Sequence, residues 1–305
     1  MQRLINIMLH LDKNPSLKSA EGALLRKNRI CSSELSQMKI KKCNTSAKFI
    51  QFKNSIGEFK GNEHTLFGQM FEPIAMDYIN RKMAGSPHDF IECGNKRFRY
   101  KYLYTTNSIE YQKESFKNLT YKLAATPDAI YAYRIPNNYN PGSLMVNIEI
   151  KCPSMRRVVD GDPIPQQYED QVRSAAMCVN SDYSEFWDFQ FRLCKGHHLN
   201  PWNKDFDRMY HKANYTVYPP KTHLECGYFI YGCDVSWITS RSDKIFTSLH
   251  NREIVPTAFE WGYPDTNDRR YLLCWKLMTV NKVKLRRNEC KEKDIENMIL
   301  TINNT

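Results

Sequence analysis

The order of helix-like and strand-like segments in this 305-residue chain predicts an α/β (α+β) fold, a mixed central β-sheet flanked by helices. Three observations carry that expectation. Residues 65–83 hold apolar side chains at helical spacing. Residues 128–134 and 144–151 are apolar strands on either side of a Pro/Asn/Gly turn cluster at 135–143. After a polar loop at 153–165, residues 166–179 return to helical spacing ahead of an aromatic strand at 185–193.

Taken in chain order, residues 20–38 read as helix, with Ser32, Ser33 and Glu34 as a capped start near the middle. In residues 65–83, Phe67, Met70, Phe71, Ile74, Ala75, Tyr78 and Ile79 share one face. Pro73 has no N–H for the carbonyl of Gln69, which predicts a kink or a helix start near Phe71. Residues 97–105 alternate aromatic and basic side chains as a half-exposed strand would. In residues 166–179, Tyr168, Gln171, Val172, Ala175 and Cys178 recur on one helical face. Further strands are expected at 227–235 and 271–280.

Composition narrows the class. Hydrophobic residues make up 41% and charged residues 25%, which excludes a mainly disordered or collagenous chain. No stretch comes near the ~18 consecutive apolar residues of a membrane helix. The apolar patch in residues 1–15 is short and lacks a small-residue cleavage site, so it does not read as a secretory signal. Ten cysteines contain no Cys-x-x-Cys pair, and neither Cys194 with His197 and His198 nor Cys226 with Cys233 has the spacing of a zinc site. Reduced, mostly buried thiols in an intracellular protein are the expectation.

The net charge of +11 is unevenly spread: residues 1–60 hold twelve Lys/Arg against four acids, and residues 276–287 form a second basic run free of acids. Such clustering favours a polyanionic partner, nucleic acid before membrane, with a solvated basic surface as the plain alternative. The run Arg97-Phe98-Arg99-Tyr100-Lys101-Tyr102 would then either stack on frayed bases or pack half its rings in the core.

The chemistry-bearing constellation is Thr126-Pro127-Asp128 followed by Glu149-Ile150-Lys151 on the next strand. Alternation puts Glu149 and Lys151 on one sheet face and Ile148 and Ile150 on the other. With the strand after Asp128 alongside, its carboxylate joins that of Glu149. Two carboxylates and a backbone carbonyl suit a hard cation such as Mg²⁺, and a neighbouring ammonium can orient a water or offset charge on a phosphate. Acid-x-Lys also occurs at Glu58/Lys60 and Glu289/Lys291, but only the middle triplet ends an apolar strand, precedes Cys152-Pro153 and follows a Thr-Pro-Asp. A strand-end ion pair is its structural alternative.

An ordered series of motifs across residues 26–179 resembles the PD-(D/E)XK nuclease superfamily, and within it the phage lambda exonuclease / YqaJ-type viral recombinase family. The series comprises Arg26-x3-Ile30-x2-Ser33-Glu34, then Phe67-Gly68-Gln69-Met70-Phe71-Glu72-Pro73, then Thr126-Pro127-Asp128 and Glu149-Ile150-Lys151-Cys152-Pro153, and last Tyr168-Glu169-Asp170-Gln171-Val172. Gly22 stands where the family often has Trp, and the region beyond residue 179 looks more like the homologues of large DNA viruses.

The resemblance implies a restriction-endonuclease-like core in one nuclease domain spanning 1–305, with the core over about 20–195 and a C-terminal elaboration over about 196–305. It implies that Asp128, Glu149 and the carbonyl of Ile150 bind Mg²⁺ (with Mn²⁺ able to substitute), and that Glu72 supports a second ion. Lys151 would act on the nucleophilic water, Gln171 would hold that water or the lysine, and Arg26 and Ser33 would grip a DNA 5′-phosphate. For Arg26 and Ser33 a surface cation and an N-cap are the local alternatives, and for Glu72 and Gln171 ordinary helix polar residues. The implied activity is 5′-to-3′ exonuclease action on duplex DNA ends in viral recombination, repair or replication, in host cytoplasm or nucleus. The alternatives are an endonuclease that also acts on RNA, or a non-catalytic DNA-binding recombination scaffold. A single-strand annealing protein is the implied partner. Phage relatives form ring trimers, while some viral relatives act as monomers.

Overall fold

In the computed structural model of the chain, residues 24, 26–56, 63–83, 90–93, 96–99, 109–134, 143–193, 224–231, 256–262 and 271–305 are described. Six strands form the central sheet: β6 (Ala129–Arg134), β7 (Ser143–Lys151), β8 (Tyr183–Leu193), β9 (Glu225–Tyr231), β10 (Pro256–Trp261) and β11 (Tyr271–Arg286). Their spatial order is β10-β9-β11-β8-β7-β6. Every neighbouring pair is antiparallel except β7 and β8, which run parallel with Lys151 opposite Asp188. The sheet is therefore mixed, as the sequence predicts. A parallel pair needs a crossover, which the 153–165 loop and helix α4 (Gln166–Val179) supply.

Upstream lie β1 (Arg29–Cys31), a 3-10 turn at Ser32–Glu34, α1 (Leu35–Ile40), α2 (Ser46–Ile56), α3 (Glu63–Met83), the hairpin β2 (Phe90–Cys93) and β3 (Lys96–Arg99), β4 (Ile109–Glu110) and β5 (Lys122–Ala125). The final helix is α5 (Glu289–Asn303). β1, β5 and β4 make a second, three-stranded sheet in that order.

Each face of the central sheet is covered. On one, Phe71, Ile74 and Ile79 of α3 pack on Val146, Ile148, Phe189, Phe191 and Trp275. Phe71 stacks on Phe191 with ring centroids 4.4 Å apart. On the other, Ala175, Met177 and Cys178 of α4 join Met145 and Ile130 with Ile295, Ile299 and Ile302 of α5. At the far edge Gly227 is required by close approach: a Cβ there would overlap the Glu260 carbonyl oxygen and the Trp275 indole.

Two local expectations change. Residues 29–31 are strand rather than helix: Ile30 is buried opposite Leu123 in a parallel pairing with β5, a position that suits a β-branched side chain. Leu24, Arg26 and Lys27 are helical, the strand then interrupts, and helix resumes at Leu35; neither the 3-10 turn nor α1 has a side-chain cap. Pro73 neither ends nor starts a helix, because α3 runs from Glu63 through it. Gln69 and Pro73 both lie on its exposed face, where water can satisfy the carbonyl that Pro73 leaves without a donor. Cys31, Cys43, Cys152, Cys178, Cys226 and Cys290 are free thiols. No described helix is long and apolar enough to cross a membrane. Cys194, His197, His198 and Cys233, which lack zinc-site spacing, and Tyr100 to Tyr102 lie outside the described residues, as does Gly22.

Candidate active site

The site forms where β7 leaves the sheet. The β6–β7 register sets Ala129 opposite Ile148, which brings Asp128 level with the last residues of β7. There one Asp128 carboxylate oxygen accepts the backbone N–H of Ile150 at 2.6 Å. Glu149 is only 2% exposed. Its Oε1 accepts both from the ammonium of Lys151 and, at 2.6 Å, from the Gln171 side-chain amide on α4. Tyr168, one turn earlier on α4, stacks on Phe186 with centroids 5.7 Å apart and lies 5.3 Å from the Lys151 nitrogen. Alternation of β7 and helical spacing on α4 thus converge on one carboxylate oxygen.

Glu72 enters from α3, on the opposite layer. Gly68, one turn before it, lies against the strand exit: a Cβ there would sit 3.8 Å from the Cys152 carbonyl oxygen. Burial, and then the carboxylates of Glu72, Asp188 and Asp128, hold the Cys152 thiol well above its ordinary value. Three acids therefore surround the step from Lys151 to Cys152.

The electrostatics follow from burial. Burial raises the Glu149 carboxyl to about 8, with Lys151 pulling it down and Asp128 and Glu72 pushing it further up. The Asp128 carboxyl is likewise raised by burial, against Lys151 and the Ile150 N–H. Burial alone would lower Lys151, but Glu149 and Asp128 more than reverse that and hold the ammonium form. Two desolvated carboxyls side by side are an electrostatic demand for a cation. Among the described residues no three His, Cys, Asp or Glu side chains gather as a closed metal cage. The donor set of two carboxylates and a strand carbonyl fits an oxygen-loving divalent ion that keeps several waters.

Arg26, ahead of β1, meets Ser33 of the neighbouring 3-10 turn, with Arg26 Nη2 3.4 Å from Ser33 Oγ. Arg26 also faces Glu34 at 3.6 Å. Lys53 of α2 is the anchor beneath, donating to the Arg26 carbonyl at 3.0 Å and pairing with Glu34 at 2.5 Å. This cluster meets the back of α4, where Lys39 pairs with Asp170 at 2.6 Å, beside Gln171. One helix therefore touches both the Glu149 site and the Arg26 cluster.

Sequence reasoning missed Asp188, Arg156 and Lys53 as members of these clusters. Asp188 and Arg156 form an ion pair at 2.7 Å, and Arg156 lies 5.9 Å from the Tyr168 ring that also carries Lys151. The available signal was a pair of acids, Glu185 and Asp188, in an aromatic strand (Phe186, Trp187, Phe189), where burial predicts cationic partners.

No family model and no curated protein matches the sequence. Among solved structures the chain is similar to the crystal structure of LHK-Exo in complex with dAMP, at 12% identity and a TM-score of 0.41, over 90% of this chain and 86% of that one. It is also similar to the alkaline exonuclease LHK-Exo from Laribacter hongkongensis, at 12% identity and a TM-score of 0.36, over 91% and 87%.

Proposed function

We propose that this chain is a metal-dependent deoxyribonuclease of the PD-(D/E)XK type that degrades duplex DNA from a 5′ end. The observation that carries the reading is Glu149: a buried carboxylate whose one oxygen is shared by Lys151 and Gln171, beside Asp128 tied to the Ile150 N–H. Asp128, Glu149 and the Ile150 carbonyl would hold the divalent ion, Mg²⁺ in the first instance, with Glu72 in support. When bound, that ion supplies charge neutralisation and a more acidic water.

The residues divide the remaining work. Gln171 fixes the orientation of Glu149, so the carboxylate keeps its second oxygen for binding. Lys151 stays protonated, and its ammonium offsets charge that develops on a phosphate in the transition state. Phe186 and Tyr168 wall the lysine on its apolar side and limit the water that would screen it. Arg26 and Ser33 together offer guanidinium and hydroxyl donors suited to a terminal phosphate. A single-strand annealing protein as partner rests on the motif series alone.

The test offers the protein linear duplexes with 5′-phosphate or 5′-hydroxyl ends, and closed circles, with Mg²⁺ or with EDTA. Degradation of linear duplex only, dependent on Mg²⁺ and faster from 5′-phosphate ends, is expected, and Arg26→Ala removes the end preference. Rapid cutting of closed circles replaces exonuclease with endonuclease, and cleavage in EDTA overturns the metal-dependent reading.

A further inference from the structure

The loop that leaves the candidate site is held by one face of β8. Asp188, Gln190 and Arg192 alternate along that strand and so point the same way. Asp188 pairs with the Arg156 guanidinium at 2.7 Å, the Gln190 amide donates to the Arg156 carbonyl at 3.4 Å, and Arg192 donates to the Ser154 carbonyl at 3.4 Å. His64 of α3 meets the Ser154 hydroxyl at 2.7 Å from the other side. At the loop's far end Asn281 of β11 accepts from the Gly161 N–H at 3.1 Å and donates to the Asp162 carbonyl at 2.9 Å. These tethers are made to backbone and side chain alike, so the segment after Lys151 is fixed rather than merely covered.

Its fixed point is Arg156. The Asp188 side chain is 1% exposed, whereas that of Arg156 is 32% exposed. Burying a carboxylate in a sheet is costly, and a buried ion pair is weak evidence of a gain in stability, so its retention points to position. The ion pair runs from Nη2 to one carboxylate oxygen, and both Nη2 and the other oxygen, Asp188 Oδ1, are buried without a hydrogen-bond partner among the described residues. A guanidinium carries five donors, so this one ion pair leaves others for a ligand. Asp188 is also the register partner of Lys151, and the Tyr168 ring lies under both cations. Two cations of different shape, one compact and one forked, therefore converge beside the carboxylates that would hold the ion.

We propose that Arg156 is a second catalytic cation of this site, contacting a non-bridging oxygen of the phosphodiester under attack, and that Asp188 is the positioning residue that aims it. The assignment rests on the nuclease reading above and adds to it a named phosphate contact. Lys151, already shared with Glu149, supplies one positive charge. Arg156 supplies planar N–H donors suited to phosphate oxygens, which a lysine cannot reproduce.

The experiment measures kcat and KM on linear 5′-phosphorylated duplex with Mg²⁺ for the full chain and for Arg156→Ala, Arg156→Lys and Asp188→Asn, with thermal midpoints beside them. Arg156→Ala should lower kcat by about 10²-fold or more, with KM changed far less. Arg156→Lys should recover only a minor part of the loss, and added methylguanidinium should raise the rate of Arg156→Ala while leaving Lys151→Ala unchanged. Asp188→Asn should lower kcat less than Arg156→Ala does. Wild-type kcat in a folded Arg156→Ala overturns the assignment and leaves the nuclease reading standing. A loss of activity that only tracks a fallen thermal midpoint, with no methylguanidinium response, assigns Arg156 to the loop's architecture and overturns it equally. Absence of Mg²⁺-dependent cleavage by the wild-type chain overturns both.

Discussion

One oxygen of Glu149 accepts from both Lys151 and Gln171, so the two donors are not equivalent in what their removal does. Lys151 brings a charge to a buried site, and its loss removes stabilisation of a phosphate transition state. Lys151→Ala should lower kcat by roughly 10²–10³-fold on linear duplex with Mg²⁺. Gln171 orients the carboxylate, and Gln171→Ala should cost about 10–100-fold, a range typical of groups that hold a ligand rather than contact the substrate. Equal losses in the two variants would contradict this division. At this scale proximity was legible wherever residues are close in sequence or share an ordered motif: Asp128, Glu149, Lys151 and Gln171 meet in one hydrogen-bonded cluster. Asp188 was not legible, because its place beside Lys151 is set by the parallel register of two strands separated by a loop and a helix.

The elements that shape the site are held at one margin of the sheet and on one of its faces. At Gly227 the Glu260 carbonyl and the Trp275 ring leave no room for a methyl group. Gly227→Ala should therefore destabilise the fold by about 1–3 kcal/mol as β9 and β10 are forced apart, measured by denaturant unfolding. An unchanged midpoint would mean that the edge strand yields freely. On the α4 face of the sheet, α5 is tied down by Glu296, which accepts from Tyr111 at 2.7 Å and from Lys113 at 2.8 Å. Burial by itself would raise the Glu296 carboxyl, but the Lys113 and Tyr111 donors outweigh it and hold it below its ordinary 4.5. A lowered folded-state value means that the contribution is complete above the unfolded value and is lost as pH falls through the folded one. Wild type should thus lose more thermal stability than Glu296→Gln between about pH 7 and about pH 3.5; equal losses would remove Glu296 from the acid response. α5 was open to sequence reasoning, since Ile295, Ile299 and Ile302 recur with helical period and are all buried. β1 was not, because Ile30 is drawn into a strand by the distant β5, a tertiary pairing that local spacing does not record.

For the whole molecule, strands from both halves share one sheet: β11 pairs with β8 along eleven positions, and α5 packs in the same core as α4. The +11 charge, concentrated in residues 1–60, belongs to this scale as well. If it neutralises DNA phosphates, log K for duplex binding should fall with log salt by about 0.9 for each phosphate contacted, and a slope flatter than about −1 would leave the basic cluster without that role. The 3-10 turn that holds Ser33 packs on α4, the helix whose Gln171 reaches Glu149. The central claim is that Glu149 is the carboxylate on which hydrolysis depends, and the isosteric Glu149→Gln tests it most directly. Linear 5′-phosphorylated duplex is incubated with Mg²⁺ and the folded variant, and degradation and DNA binding are followed together. The account predicts binding near the wild-type level with degradation reduced to that of the Mg²⁺-free control; degradation at the wild-type rate would contradict it.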